Sequence, residues 1–335
     1  MRPRLKDVAS LAGVSTATVS RVVNDRPGVS DAVRDRVVDA LRQLEWEPSG
    51  MRGNPRRRTV GLLVPELTNP IFPAFAQGIE SRLGRSGMTT ILCTSSPDGV
   101  GERVHVEAVA DIGVAAAVFV AGTHADTEAD HGVYDELRER GVAVIVVNGR
   151  APGLEHLPAV TTDDVEAGRL ATEHLLRLGH RRIGLAAGQL RYMAASQRQV
   201  GWAAASGAAG VHADELVVEE AYTISGGRRA GDVLLDRGVT GIVAASDVIA
   251  LGVGQAVRAR GLRVPEDVSV VGYDDSMLIP HTDPPLTTVR QPVDKLCRAI
   301  ARLCVQAAEG TQLSTTELAF HPELIARGST GPAPA

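Results

Sequence analysis

Cysteines are few in this sequence, and no hydrophobic run is long enough to cross a membrane. The 335 residues include three cysteines, Cys93, Cys297 and Cys304. Their number and spacing fit neither a disulfide framework nor a metal knuckle, so we expect them to pack in the core and predict no metal site. The chain also begins with polar residues rather than with the apolar core of a signal peptide. These absences predict a cytoplasmic protein that has no membrane partner.

The motifs of common α/β enzymes are absent as well. The sequence has no G-x-S-x-G nucleophile elbow and no P-loop, and the run from Gly252 to Gly254 lacks the third glycine of a dinucleotide fingerprint. Asp274 and Asp275 are adjacent, so on an extended segment their side chains point to opposite faces and cannot form an acid–base pair. The sequence therefore predicts a protein that is not an enzyme and needs no cofactor.

Charge is distributed unevenly along the chain. The formal net charge is −5, from 35 Lys and Arg against 40 Asp and Glu. Residues 1–59 nevertheless hold twelve basic and seven acidic residues, so this end carries +5 and the remainder −10. A hydrophobic content of 44% over this length is enough for two or three domains with their own cores. A basic head on an acidic body predicts a DNA-binding module joined to a module that binds something else.

Residues 5–24 have the pattern of two short helices joined by a tight turn. Apolar residues recur at helical spacing from Val8 to Ala12, and Gly13 then ends the first helix because glycine adopts positive φ readily. Ser15 caps the second helix, whose apolar stripe is formed by Val19, Val22 and Val23. The opposite face carries groups that bind DNA phosphates and base edges. We predict DNA contacts by Ser15, Thr16, Ala17, Thr18, Ser20, Arg21 and Asn24.

Within this set, Thr16, Ala17 and Arg21 are expected to read bases in the major groove, and the others to position phosphates. Arg21 is the only one that can bond guanine through two parallel hydrogen bonds. A helical hairpin whose polar face is merely solvated is the alternative.

The run from Asp7 to Asn24 matches the pattern D-V-A-x-x-A-G-V-S-x-x-T-V-S-R-V-x-N at every fixed position. It resembles the DNA-binding headpiece of the LacI/GalR family of transcription regulators. The resemblance implies a small all-α helix-turn-helix headpiece over residues 1–48, with a third helix over residues 31–44.

Residues 49–59 form a basic linker that is rich in helix breakers. The resemblance implies a short hinge helix here, with a Leu that enters the minor groove, but this segment has no Leu and contains Gly50, Gly53 and Pro55. Glycine costs roughly 1 kcal/mol per helical position and an interior proline about 3, so a hinge helix is disfavoured. Met51 is the remaining apolar side chain that could act as a wedge, and Arg52 could lie in the minor groove or on its phosphates. Both are predicted DNA contacts.

From residue 60 onwards, short apolar runs such as Val60–Val64 and Ala116–Val120 alternate with amphipathic stretches. This rhythm is typical of α/β proteins with parallel sheets covered on both faces, and it restarts near Ala159. The segment Leu286–Pro292 then crosses to a long helix over residues 293–306. The resemblance extends to L-G-H-R-R-I, S-D-V-I-A-L-G, V-P-E-D-V-S-V-V-G-Y-D-D and P-P-L-T-T-V, at residues 178–183, 246–252, 264–275 and 284–289.

This resemblance implies a clamshell like that of periplasmic binding proteins, built from two doubly wound parallel-sheet subdomains. We expect the N-terminal subdomain to comprise residues 60–160 and 291–317. The C-terminal subdomain would comprise residues 161–290 and 318–328. The last residues, 329–335, are predicted to be a disordered tail.

Polar and aromatic residues follow the predicted strands, at the positions where open parallel sheets bind ligands. The predicted effector-binding residues are Asn69, Phe72, Asn148, Arg198, Tyr222, Ser246, Asp247 and Asp274. The resemblance implies that Arg198 and Asp274 hold sugar hydroxyls and that Tyr222 stacks on the ring, roles that suit a guanidinium, a carboxylate and an aromatic face. A structural Arg198–Asp274 ion pair, or acids that only cap helices, is the alternative. Asp163 is a further acid after a predicted strand.

Together these features predict a sequence-specific DNA-binding transcription regulator. It would repress a carbohydrate-utilisation operon, with an affinity for operator DNA that a small sugar-like effector changes. A homodimer on a pseudo-palindromic operator is expected, because one small headpiece buries too little surface for useful specificity. The alternative is a corepressor-dependent regulator with a non-sugar effector such as a nucleobase. A free-standing sugar carrier is contradicted by the basic head.

Overall fold

A computed structural model describes residues 5–23, 28–44, 58–95, 101–211 and 214–334. The chain divides into two compact units, Met1–Thr59 and Val60–Ala335. None of the described helices combines the length and the apolar character that a membrane span requires.

The first unit contains helices α1 (Leu5–Ala12), α2 (Thr16–Val23) and α3 (Asp31–Gln43). Gly13 takes a φ of 65°, which confirms it as the residue that ends α1. All three helices contribute to one apolar core, in which Val8, Val19 and Val37 are completely buried. The three predicted helices are thus confirmed, with α3 one residue shorter than expected. The side chain of Val23 lies outside the described set.

The second unit alternates strands and helices. Its first half runs through β1 (Thr59–Val64), α4 (Ile71–Arg85), β2 (Thr89–Thr94), α5 (Glu102–Ile112), β3 (Ala116–Val120), α6 (Gly132–Glu139), β4 (Ala143–Val147) and β5 (Ala159–Thr162). Its second half runs through α7 (Asp164–Arg177), β6 (Ile183–Ala187), α8 (Met193–Ala208), β7 (Val217–Glu219), α9 (Ile224–Asp236), β8 (Gly241–Ala244), α10 (Asp247–Ala259), β9 (Ser269–Asp274) and β10 (Thr287–Arg290). The chain ends with α11 (Val293–Ala308), β11 (Glu317–Phe320) and β12 (Glu323–Ile325).

Two six-stranded sheets form, in the orders β2-β1-β3-β4-β5-β11 and β7-β6-β8-β9-β10-β12. In the first sheet, every pair of neighbouring strands from β1 to β11 in this order is parallel. In the second sheet, the same is true of every pair from β7 to β10. Only the pair of β10 and β12, among the described strands, is recorded as antiparallel. The chain passes between the sheets after β5, β10 and β11. The predicted pair of doubly wound parallel sheets is therefore confirmed.

Two expected subdomain boundaries fall inside strands. The boundaries after residues 160 and 317 divide β5 and β11, which pair with each other in the first sheet as far as Thr162 and Phe320. The apolar pattern of β5 ends at Val160, before its backbone pairing does, whereas Leu318 and Phe320 of β11 still pack against the first core. Both strands therefore extend beyond the expected boundaries. Cys297 and Cys304 are buried in the core between α11 and the first sheet, as predicted.

The expectation of a disordered tail is wrong for residues 329–334. Ser329 is buried, and its hydroxyl accepts a hydrogen bond from the Thr287 amide at 2.8 Å and donates one to the Val270 carbonyl at 2.6 Å. Farther along, the Ala333 amide donates to the Leu178 carbonyl at 2.9 Å. The Ser329 hydroxyl thus bonds one backbone group of β9 and one of β10.

Candidate functional site

A cavity of about 510 Å³ lies between the two sheets, at the carboxyl ends of their strands. Both halves of the second unit line it, as expected for a doubly wound fold. Seven of the eight predicted effector residues are part of its wall, namely Asn69, Phe72, Asn148, Arg198, Tyr222, Ser246 and Asp274.

Asp247 is the exception: we predicted that it binds the effector, but it does not line this cavity. It is buried beside the wall, where Oδ1 accepts a hydrogen bond from the Thr288 hydroxyl at 2.7 Å. Oδ2 accepts from the amide and the hydroxyl of Ser276, at 2.8 and 3.0 Å. Burial raises the pKa of Asp247 to about 6. The side chain therefore holds the segment after β9 in place.

Arg198 is held in the wall by three partners. Its guanidinium forms an ion pair with Asp164, the first residue of α7, and donates a hydrogen bond to the Tyr222 hydroxyl at 2.9 Å. The guanidinium carbon also lies 4.3 Å from the centre of the Tyr273 ring, a cation–π contact. Tyr273 completes the cluster by donating to Asp164 Oδ1 at 3.0 Å. Burial raises the pKa of Asp164, and the Arg198 charge and the Tyr273 hydrogen bond oppose this rise.

Asp274 makes a different contact. Its Oδ1 accepts a hydrogen bond from Gln291 Nε2 at 2.6 Å, and Gln291 Oε1 accepts one from the Thr162 hydroxyl at 3.1 Å. Gln291 thus connects the second sheet to β5 of the first. Burial, and then the nearby Asp247, raise the pKa of Asp274 well above its ordinary value. The structural Arg198–Asp274 ion pair considered as an alternative is not formed in this structure.

Unusual backbone conformations concentrate at the cavity wall. Ala121, Asn148 and Asp274 have φ values of 50°, 62° and 114°, and each lies at the carboxyl end of a strand. Positive φ is unfavourable for residues other than glycine and costs on the order of 1–3 kcal/mol, so it persists where the surroundings enforce it. Here it turns the chain sharply at the end of a strand and brings these residues into the wall.

Two polar atoms in the wall have no hydrogen-bond partner among the described residues. They are Nε of Arg198 and Oδ1 of Asn148, and both are buried. Such groups are costly to leave unsatisfied. Ser246, by contrast, accepts a hydrogen bond from the Ile249 amide at 3.2 Å and so caps α10.

The ring of Tyr222 packs against the chain at Gly188. A Cβ at Gly188 would come within 2.1 Å of the ring, so glycine is required for this close approach. The Tyr222 hydroxyl is bound to Arg198, and the residue still lines the cavity.

Several wall residues were not predicted from the sequence: Glu102, Asp164, Gln189, Tyr192, Tyr273 and Gln291. Asp164 follows directly on Asp163, which the sequence did single out. Asp163 is the N-cap of α7, with Oδ1 accepting from the Glu166 amide at 2.9 Å. Only one acid of a D-D pair at the start of a helix is needed as the N-cap. This rule could have indicated that Asp164 was free to line the cavity.

Two loops meet at one side of the cavity. Asp126, in the loop after β3, forms an isolated antiparallel bridge with Tyr192, which precedes α8. The Thr127 amide and hydroxyl both donate to the Arg191 carbonyl, at 2.9 and 3.0 Å. Arg191 Nε lies 3.3 Å from Asp126 Oδ2. The two halves of the unit are therefore joined here in addition to the three strand crossovers.

The first unit presents the predicted DNA-facing residues on α2. Ser15, Thr16, Ala17 and Arg21 are exposed, and Thr18 and Ser20 are half-buried. Ser15 Oγ accepts a hydrogen bond from the Thr18 amide at 3.1 Å, which confirms the predicted N-cap. Asn24, Met51 and Arg52 lie outside the described residues.

Comparison with known proteins identifies the family. Residues 4–49 match the family described as bacterial regulatory proteins, lacI family, and residues 172–330 match the periplasmic binding protein-like domain. The HTH-type transcriptional regulator MalR of Streptomyces coelicolor is 44% identical over 339 residues, which cover 100% of this chain and 98% of that protein.

Two solved structures extend the similarity to three dimensions. A transcriptional regulator CelR–cellobiose complex is 34% identical with a TM-score of 0.72, covering 98% of this chain and 100% of that one. The lac repressor dimer bound to operator and the anti-inducer ONPF is 25% identical with a TM-score of 0.73, covering 99% and 100%. The chain therefore belongs to the LacI family of bacterial transcription regulators.

Proposed function

We propose that this protein is a homodimeric repressor of a carbohydrate-utilisation operon. It acts in the cytoplasm on a pseudo-palindromic operator, and a small sugar bound in the cavity changes its operator affinity. The cavity does not serve catalysis. One observation carries this proposal: buried polar atoms that lack a hydrogen-bond partner lie in the same cavity wall as aromatic rings.

A sugar suits this wall for physical reasons. Hydroxyl groups supply acceptors for the unpaired Nε of Arg198 and donors for the unpaired Oδ1 of Asn148 and for Asp274. Phe72 and Tyr222 offer apolar faces for a pyranose ring. The cellobiose complex of CelR supports the same class of ligand. A nucleobase has fewer hydroxyl-type donors for this wall, so it remains the second choice.

A dimer is supported by exposed apolar side chains in the second unit. Met277 and Leu278 are adjacent and expose 79% and 59% of their surface. Exposed neighbouring apolar residues are typical of association surfaces. One headpiece reads only a short site, so specific binding requires two. Sedimentation at micromolar concentration tests the dimer, and a stable monomer would contradict it.

Control would follow from closure of the cavity around the ligand. Closure moves one sheet against the other and so changes the geometry of a dimer built on them. Coupling of this kind is typically ~1–3 kcal/mol and is reciprocal, so operator DNA should change sugar affinity by the same factor.

The test is an operator-binding titration with and without a panel of sugars. We expect one sugar to lower operator affinity by about fivefold or more. A sugar that raises affinity would instead make the protein a corepressor-dependent regulator. Arg21→Ala should relax the base preference at one position of each half-site, at a cost of ~1–3 kcal/mol in discrimination. Equal weakening on all sequences would make Arg21 a phosphate contact.

A further inference from the structure

Most of the ionisable side chains that line the cavity, among the described residues, are acids. Four acids belong to the wall, Glu66, Glu102, Asp164 and Asp274, and Arg198 is the only cation among the described lining residues. Arg198 is already paired with Asp164. Among the described lining residues, no cation is therefore left without an acidic partner.

Glu102 accepts its hydrogen bonds from two uncharged groups, one on each carboxylate oxygen. It is the first residue of α5, where Oε1 accepts from the Tyr134 hydroxyl at 2.6 Å and Oε2 accepts from the Thr123 amide at 3.2 Å. An ionised carboxylate has about four acceptor positions, so roughly two remain free. Gly122 permits this placement, since a Cβ there would come within 2.3 Å of Glu102 Oε2.

The position of Glu102 complements that of Arg198. Glu102 belongs to the first half of the unit, and the Arg198 cluster belongs to the second. A ligand that fills the cavity thus meets a hydroxyl acceptor on one side and a guanidinium on the other. In a partly buried site, charges are screened far less than in water, so Glu102 also acts on any charge that the ligand carries.

We propose that Glu102 is a specificity-determining residue, whose carboxylate accepts hydroxyl hydrogens of an uncharged sugar and excludes the phosphorylated form of the same sugar. This inference rests on the proposed sugar-sensing function and narrows it. A phosphate ester carries about −1.5 to −2 charges at pH 7. In this cavity such a group meets the Glu102 carboxylate, while the one cation among the described lining residues, Arg198, is already paired with Asp164.

A purely structural role would also explain the hydrogen bonds of Glu102, so the test must separate the two. Glu102→Gln removes the charge and can keep both contacts, because the amide oxygen accepts from Thr123 while the amide nitrogen donates to the Tyr134 hydroxyl. Tyr134→Phe removes one contact and keeps the charge. Glu102→Asp keeps the charge on a shorter side chain.

The experiment is calorimetric titration of the full-length protein at pH 7.5 with matched pairs. The probes are glucose, maltose and cellobiose, each beside its 6-phosphate or 6′-phosphate. We expect wild type to prefer the neutral member of any pair it binds by at least tenfold. Glu102→Gln should reduce this preference about tenfold, and Tyr134→Phe and Glu102→Asp should preserve it.

The outcomes are distinguishable. Equal binding of both members of a pair by wild type overturns the inference without any variant. An unchanged preference in Glu102→Gln, or the same reduction in Tyr134→Phe, also overturns it while leaving the sugar-sensing function intact. Failure of wild type to bind any sugar overturns the proposed function and this inference with it.

Discussion

Arg198 forms its buried ion pair with Asp164, the first residue of the neighbouring helix α7, whereas Asp274 accepts a hydrogen bond from Gln291. The arginine is thereby neutralised and fixed by the second half of the unit itself. Asp274 is instead connected through Gln291 to Thr162, the last residue of β5 in the first sheet. The two residues expected to act together thus belong to two separate hydrogen-bond networks in one wall.

Asp164→Asn should destabilise the protein strongly. The substitution leaves the Arg198 charge buried without a counter-ion, which typically costs about 3–5 kcal/mol. Asp163→Asn is the matched control, because Asn caps a helix about as well as Asp. Urea denaturation measures both. Similar losses in the two variants would show that the ion pair contributes little.

The same two acids show what the sequence could and could not predict. Alternating apolar runs predicted both sheets, and the rule that ligands bind beyond strand ends located the cavity and seven residues of its wall. The choice between Asp163 and Asp164 depends on the rotation of α7, which packing against α8 sets. The sequence pattern does not contain that information.

The prediction of a disordered tail is wrong for a related physical reason. Residues 329–334 carry no apolar pattern, so periodicity predicted disorder. They are held by hydrogen bonds from Ser329 and Ala333 to backbone groups of distant segments. Contacts of this kind become visible only once the sheet has formed.

The contribution of Asp247 to stability should fall as the pH rises from about 4 to 6. Its pKa is raised to about 6 in the folded protein, against 3.8 as the ordinary value. Between these values the unfolded chain ionises while the folded protein stays protonated, so folding loses up to about 3 kcal/mol as the pH rises. Asp274 faces Asp247 and titrates with it, so the step belongs to both acids.

Asp247→Asn tests this sign. The free energy of unfolding of the variant, relative to wild type, should increase between pH 4 and pH 7. The control is Asp267→Asn, because a hydrogen bond from Arg263 lowers the pKa of that half-buried acid and so gives a slope of the opposite sign. If the difference in free energy of unfolding between Asp247→Asn and wild type does not change with pH, the pKa of Asp247 is not raised.

Joining Asp126 to Tyr192 should lock the cavity closed. Opposed residues of an antiparallel bridge have Cα atoms about 4.5–5.5 Å apart, which suits a disulfide. We expect the oxidised Asp126→Cys/Tyr192→Cys protein, made with Cys93→Ser, to bind operator with one fixed affinity whatever sugar is added. Reduction should restore the response, and each single Cys variant is a control. A sugar response that survives oxidation would exclude closure as the switch.

Ser329→Ala should destabilise the protein by about 1–3 kcal/mol. The variant leaves the Thr287 amide and the Val270 carbonyl without the hydroxyl that now bonds both. Ser314→Ala is the control, since Ser314 is exposed and a surface change is expected to stay within about 0.5 kcal/mol. Thermal and urea unfolding measure the difference. An unchanged stability would show that the hydrogen bonds of Ser329 do not stabilise the fold.

The linker should bend operator DNA only weakly. Gly50, Gly53 and Pro55 disfavour a hinge helix, by roughly 1 kcal/mol for each glycine and about 3 for the proline. Met51 alone could then enter the minor groove, while basic residues such as Arg52 bind phosphates with a strong dependence on salt and little on sequence. We therefore expect tolerance of changes at the central base pairs. A bending assay compares wild type with Met51→Ala, and Arg52→Gln serves as the control that removes only charge. A sharp central kink in wild type that Met51→Ala abolishes would show that Met51 is a true wedge and that the linker orders on DNA despite its glycines.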